Sequence, residues 1–186
     1  RGMVYTGRQF VEWLGDGLRG ATGGIMLPLP MFHSYGACAA QSVAFIGHNP
    51  IVLVPNPRDI PDLLKTLAQT RPQVFAGVPT LYNTLLNRPE VKAGKVYFTC
   101  LRVCVSGAAP LMAETKKRFE AVSGAQIIEG YSLTESLIAA TASPVTTEMA
   151  LDSTSTCFVL IEPSMVSTLP TPTQVTLSAS PSLSQK

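Results

Sequence analysis

Apolar positions along the chain follow two periods that alternate from one segment to the next. Phe10, Trp13 and Leu14 recur at i, i+3, i+4, one face of a helix, and predict a helix over residues 6–19 with Thr6 as its cap. Residues 25–29 form a short apolar run closed by Pro30 and predict a buried strand. Residues 34–46, apolar and rich in small side chains, predict a buried helix. The aliphatic run 51–54, stopped by Pro55 and Pro57, predicts a second strand. Residues 60–69 carry Pro61 in the first turn and Leu63, Leu64 and Leu67 on one face, and predict an amphipathic helix. Further strands are expected at 73–76, 101–105 and 126–128. Helices are expected from Pro79 to about residue 86 and over 113–122, the latter closed by Gly124.

Strands that alternate with helices at this spacing predict crossover units. The expected fold is α/β, with layered, mostly parallel sheets covered by helices. Ligands of such sheets bind at the C-terminal ends of strands, so the loops after Val105 and Ile128 are the places to search. The alternation stops near residue 146. Residues 147–186 are rich in Ser, Thr and Pro, nearly uncharged and without glycine. They are expected to form a disordered tail, against a domain at 1–146. The alternative for the tail is an added strand at 158–161.

Charge narrows the partners. Net charge is only +2 and no block of like charge occurs, which argues against nucleic acid. Lys116, Lys117 and Arg118 read as a solvated helix face. The four cysteines have no Cys-x-x-Cys spacing and the only histidines are His33 and His48, so no zinc site is expected. The thiols fit a reducing cytoplasm. No apolar run reaches the ~20 residues of a membrane span. The chain opens on Arg1-Gly2 without a methionine, and its native N-terminus is expected upstream. Gly15-Asp16-Gly17-Leu18-Arg19-Gly20 matches a dinucleotide fingerprint. The glycine- and proline-rich stretch after it cannot open a helix and no acidic residue follows at ~20 positions, so it reads as a helix exit.

Two segments carry chemistry. An apolar strand runs into Ser106-Gly107-Ala108-Ala109-Pro110-Leu111, where small residues let backbone approach a flat ligand. The strand at 126–128 runs into Glu129-Gly130-Tyr131-Ser132-Leu133-Thr134-Glu135. Tyr131 offers a ring to stack on a base, Thr134 a hydroxyl for a phosphate, and Glu135 a hard oxygen ligand for Mg²⁺. Taken alone, the first segment is an ordinary strand-to-helix loop, and Thr134 with Glu135 is a helix cap.

Together these segments resemble the AMP-forming, or adenylate-forming, ligase superfamily. Residues 130–135 are similar to its tyrosine-glycine-x-threonine-glutamate motif, and residues 106–111 to its adenine-contacting loop. Pro30-Met31-Phe32-His33-Ser34-Tyr35-Gly36 resembles its aromatic-histidine segment, and residues 1–6 the end of its phosphate loop. Asn56-Pro57-Arg58-Asp59-Ile60 and Gly77-Val78-Pro79-Thr80-Leu81 resemble bacterial long-chain fatty acid–CoA ligases. The resemblance covers roughly 1–145 and implies a partial N-terminal domain of such a ligase. It implies that Gly107, Ala108 and Ala109 line one face of adenine and Tyr131 the other, with Gly130 beside them. It further implies that Thr134 contacts phosphate, Glu135 holds Mg²⁺ and His33 borders the acyl substrate. ATP, Mg²⁺ and CoA are the implied cofactors and co-substrates, and a fatty acid the implied substrate.

There are departures. Ser132 stands where glycine is usual, and Arg1 where the phosphate loop's lysine is usual. The ribose-binding aspartate and the C-terminal lysine domain are not recognisable, so the chain alone is expected to be inactive. Alternatives within and outside the class are an aryl-acid–CoA ligase and a non-catalytic nucleotide- or acyl-binding module.

Overall fold

The computed structural model describes residues 2–15, 18, 23–134, 141–142 and 158–159. Its centre is a sheet of five parallel strands in the order β2-β1-β3-β4-β5. These are β1 (Ile25–Leu27), β2 (Ile51–Leu53), β3 (Val74–Gly77), β4 (Val103–Ser106) and β5 (Gln126–Tyr131). The helices are α1 (Gly2–Leu14), α2 (Val43–Ile46), α3 (Ile60–Thr70), α4 (Pro79–Asn87), α5 (Pro89–Lys92) and α6 (Ala113–Ser123). A π-helix, Tyr35–Ser42, leads directly into α2.

The strand order explains why helices cover both faces. From β1 the chain steps to β2 on one side, then crosses back over β1 to β3 and continues in the same direction to β4 and β5. Parallel crossovers are right-handed, so reversing the direction of travel sends helices to the opposite face. Accordingly α1, the π-helix and α2 share a core with Ile25, Leu27, Val74, Ala76, Val103 and Ile128. Helices α3, α4 and α6 cover the other face, on Met26, Phe75, Cys104 and Ile127. Successive strand residues thus serve opposite cores, and the strands are apolar at nearly every position, as a sheet buried on both sides demands.

Local chemistry sets the element ends. Asp59 caps α3 by accepting from the Asp62 amide at 3.2 Å, with Pro61 in the first turn. Gly124 ends α6 at φ 71°. The π-helix begins under a tight constraint: a Cβ at Gly36 would strike the Pro30 carbonyl. Its wide winding is matched by Ser42, whose hydroxyl donates 3.2 Å to the Ala37 carbonyl five residues back.

Several bounds differ from expectation. Thr6 is not a cap: α1 starts at Gly2, and Thr6 is buried within it. The 34–46 helix is largely a π-helix rather than an α-helix. Strand β5 does not stop at Ile128 but continues to Tyr131, because Gly130 and Tyr131 pair antiparallel with β6 (Thr141–Ala142). Strand β7 (Phe158–Val159) pairs with β6 in turn, at two of the four positions where an added strand was the alternative. The other tail residues, and Asp16, Gly17, Arg19 and Gly20 of the glycine-rich run, lie outside the described residues.

Candidate functional site

A cavity of about 230 Å³ opens at the C-terminal edge of the sheet. Three chain segments meet there: His33, Ser34 and Tyr35 after β1; Val105 to Ala108 at the end of β4; and Gly130, Ser132 and Thr134 at the end of β5. Phe10 and Trp13 of α1 close the side, their rings edge to face at 5.9 Å and 84°. Of the residues singled out from sequence, the structure brings together His33, Gly107, Ala108, Gly130 and Thr134. Ala109 and Tyr131 do not line the cavity, and Tyr131 is 64% exposed. Glu135 lies outside the described residues.

Each lining group has a structural cause. The Tyr35 amide donates 3.1 Å to Nδ1 of His33, which fixes the ring. In the neutral imidazole an accepting Nδ1 leaves the proton on Nε2, so the outward nitrogen is a donor. The His33 carbonyl accepts from the Ala37 amide at 2.9 Å, anchoring the loop to the π-helix. Gly107 is buried, and a Cβ there would sit 3.3 Å from the Tyr35 ring and 3.7 Å from the Gly130 carbonyl. Ala108 holds φ 68°, a left-handed conformation that a non-glycine residue seldom adopts. Ser106 is buried, and its hydroxyl has no hydrogen-bond partner among the described residues.

The root of the Ser106-to-Ala109 loop is held by groups that sequence reasoning missed. The Tyr35 hydroxyl donates to the Val105 carbonyl at 2.9 Å and, less closely, to the Gly77 carbonyl at 3.1 Å. The Tyr82 hydroxyl donates to the same Val105 carbonyl at 2.8 Å. Tyr35 belongs to one core and Tyr82 to the other, so the two hydroxyls reach one carbonyl from the two faces of the sheet. Burial, with the Cys104 thiol nearby, pushes both phenols far above their ordinary range, so both remain protonated donors. In the sequence, Trp13 and Phe10 show only the spacing of a helix face. Tyr35, a hydroxylated ring two residues after His33 in a run of small side chains, was the available signal.

The cavity suits a flat, polar ligand. Backbone lies open at Gly107 and Gly130, hydroxyls at Ser34, Ser132 and Thr134, an imidazole at His33 and aromatic rings at the side. Among the described residues no group of three or more His, Cys, Asp or Glu side chains comes together as a ready cage for a metal. A Mg²⁺ held by one carboxylate and substrate phosphates needs no such cage.

Comparison with known proteins places these features. The family description "AMP-binding enzyme" matches residues 1–163. A long-chain-fatty-acid–CoA ligase of Bacillus subtilis is 34% identical over 134 residues, 72% of this chain and 22% of the ligase. ATP-bound MatB from Rhodopseudomonas palustris superposes with a TM-score of 0.58 at 27% identity, covering 77% of this chain and 27% of MatB. A benzoate CoA ligase from Burkholderia xenovorans gives a TM-score of 0.60 at 25% identity, covering 76% of this chain and 29% of the ligase. The chain therefore spans about a quarter of the length of the relatives it matches.

Proposed function

The chain belongs to the AMP-binding enzyme family, and from that premise we propose that it is the segment of an AMP-forming acid–CoA ligase that holds the acyl-adenylate. One observation carries the reading: His33, Gly107, Ala108, Gly130 and Thr134, from three distant parts of the sequence, share one cavity at the ligand edge of a parallel sheet. In this reading Gly107 and Ala108 present backbone to adenine, with Ala109 and Tyr131 at its margin. Thr134 donates to phosphate, and the Nε2 side of His33 borders the acyl carboxylate. Glu135 is the proposed Mg²⁺ ligand, and the metal would offset charge on the ATP phosphates.

The acid's carboxylate attacks the α-phosphorus of ATP and expels pyrophosphate. The thiol of CoA then attacks the acyl carbon and expels AMP. The residues described here bind and orient the adenylate; their fixed donors act where charge develops at phosphorus. A fatty acid is the proposed substrate, supported by the similarity to the Bacillus ligase. A cytoplasmic setting is supported by the free thiols of Cys38, Cys100 and Cys104. Because the chain spans a quarter of its relatives' length, we propose that it does not complete adenylation alone.

Calorimetric titration with palmitoyl-sulfamoyl-adenosine and its guanosine counterpart tests the site. The adenosine compound is expected to bind, and Gly107→Val to weaken it at least tenfold by filling the adenine face. Equal binding of the guanosine compound, or no binding of either, overturns the reading.

A further inference from the structure

The loop that faces the cavity is strained, and something must hold it. Ala108 sits at φ 68° and its neighbour Gly107 packs against the Tyr35 ring. A left-handed alanine persists only where surrounding structure over-determines it. The loop's own sequence of small residues supplies little packing, and Ala108 and Ala109 are exposed.

The anchor is one residue earlier on the chain than the loop. Val105 is the last residue but one of β4, and its carbonyl accepts from Tyr35 at 2.9 Å and from Tyr82 at 2.8 Å. Two buried hydroxyls thus converge on one carbonyl, the single Tyr35 proton being shared with the Gly77 carbonyl at 3.1 Å. Both tyrosines are buried, Tyr82 completely. Tyr82 is further held by edge-to-face contacts with Phe75 at 5.8 Å and Phe119 at 4.9 Å, so its hydroxyl has little freedom to leave. A Cβ on Gly77, beside β4, would press on the Tyr82 ring at 2.9 Å, so the neighbouring strand is shaped to admit that ring.

We propose that Tyr35 and Tyr82 are positioning residues for residues 106–109, closing from opposite faces of the sheet on the single carbonyl from which that loop springs. Tyr35 does this from the cavity wall. Tyr82 lies outside the cavity lining and reaches the loop through Val105, its hydroxyl making only a longer 3.5 Å contact to the Phe75 carbonyl besides. The clasp also ties the loop to both cores, so a disturbance behind the sheet reaches the ligand side. The ligand arm of the test rests on the adenylate reading above; the backbone arm does not.

Amide hydrogen exchange of the 186-residue chain, wild type against Tyr35→Phe, Tyr82→Phe and the double variant, tests the clasp. Leu67→Val, buried on α3 and outside the cavity lining, serves as a control for general loss of stability. Each single variant is expected to speed exchange at the buried residues Ser106 and Gly107 about fivefold beyond the control, the loss of one hydrogen bond. The double variant should exceed the product of the singles, because only then does Val105 lose every side-chain donor. Tyr82→Phe should also weaken palmitoyl-sulfamoyl-adenosine about fivefold, although Tyr82 does not itself line the cavity. Exchange at 106–107 no faster than in the control, or strictly multiplicative effects, overturns the proposal. Should Tyr82→Phe fail to fold, Tyr35→Phe against the control decides alone. If the wild type does not bind the adenosine compound while exchange behaves as expected, the adenylate reading falls and the clasp stands.

Discussion

Three buried protons govern the behaviour of single residues at high pH. Burial pushes Tyr35, Tyr82 and Cys104 upward, with the second-largest contribution from a neighbouring thiol or carboxylate. The folded chain therefore keeps these protons while the unfolded chain releases them, beginning near the ordinary values of about 8.5 for Cys and 10 for Tyr. A raised folded pKa means full stability below those values and loss as pH climbs past them. Urea melts between pH 8 and 11 should show that decline. Tyr35→Phe should make it shallower by about 1.4 kcal/mol per pH unit above pH 10, one proton fewer released on unfolding. An unchanged slope would mean that the Tyr35 phenol ionises in the fold. At this scale the sequence exposed some residues and hid others. His33, Gly107 and Thr134 stand in runs whose chemistry can be read locally. The shared partner, the Val105 carbonyl, lies 70 residues from Tyr35 and 23 from Tyr82. No pattern of residue types announces a carbonyl acceptor.

Elements were legible where their ends are written in side chains. The Asp59–Pro61 start and the Gly124 stop are local signals, and α3 and α6 fall where those signals put them. Asp59→Ala should cost about 1 kcal/mol in a thermal melt by freeing the Asp62 amide, and Asp59→Asn should restore most of it. Elements were missed where tertiary pairing decides. Strand β5 outlasts its apolar run because β6 offers partners to Gly130 and Tyr131. The π-helix differs from an α-helix by one residue per hydrogen-bonded ring, too little to register in hydrophobic spacing. Gly36 can be tested directly. Gly36→Ala drives a methyl against the Pro30 carbonyl and should cost about 1–3 kcal/mol, the usual range for overpacking. A neutral result would show that the turn before the π-helix yields freely.

At the scale of the whole molecule, alternation of periods was enough to give an α/β fold with a parallel sheet, since strands buried on both faces have few other arrangements. It could not give the order β2-β1-β3-β4-β5, which depends on the direction the chain takes after β1. The two cores share every central strand: Phe75 faces one while Val74 and Ala76 face the other, and β4 and β5 repeat this division. Neither core can form its sheet surface without the other. Denaturant unfolding followed by Trp13 fluorescence, on the α1 side, and by hydrogen exchange of α4 and α6, on the other, should give coincident midpoints. Two separated transitions would mean that one helical layer detaches while the sheet persists.

The place of β1 also bears on how the chain comes off the ribosome. Among the described strands residues 25–27 are synthesised first, yet their two neighbours are β2 and β3, and β3 ends at Gly77, about fifty residues later. At ~5–20 residues per second, that interval is roughly 3–10 s. Throughout it the nascent Ile25, Met26 and Leu27 carry unpaired amides and carbonyls on at least one edge. Of the described strands, β1 is thus the one that waits longest for its partners, and the one a chaperone would have most reason to cover.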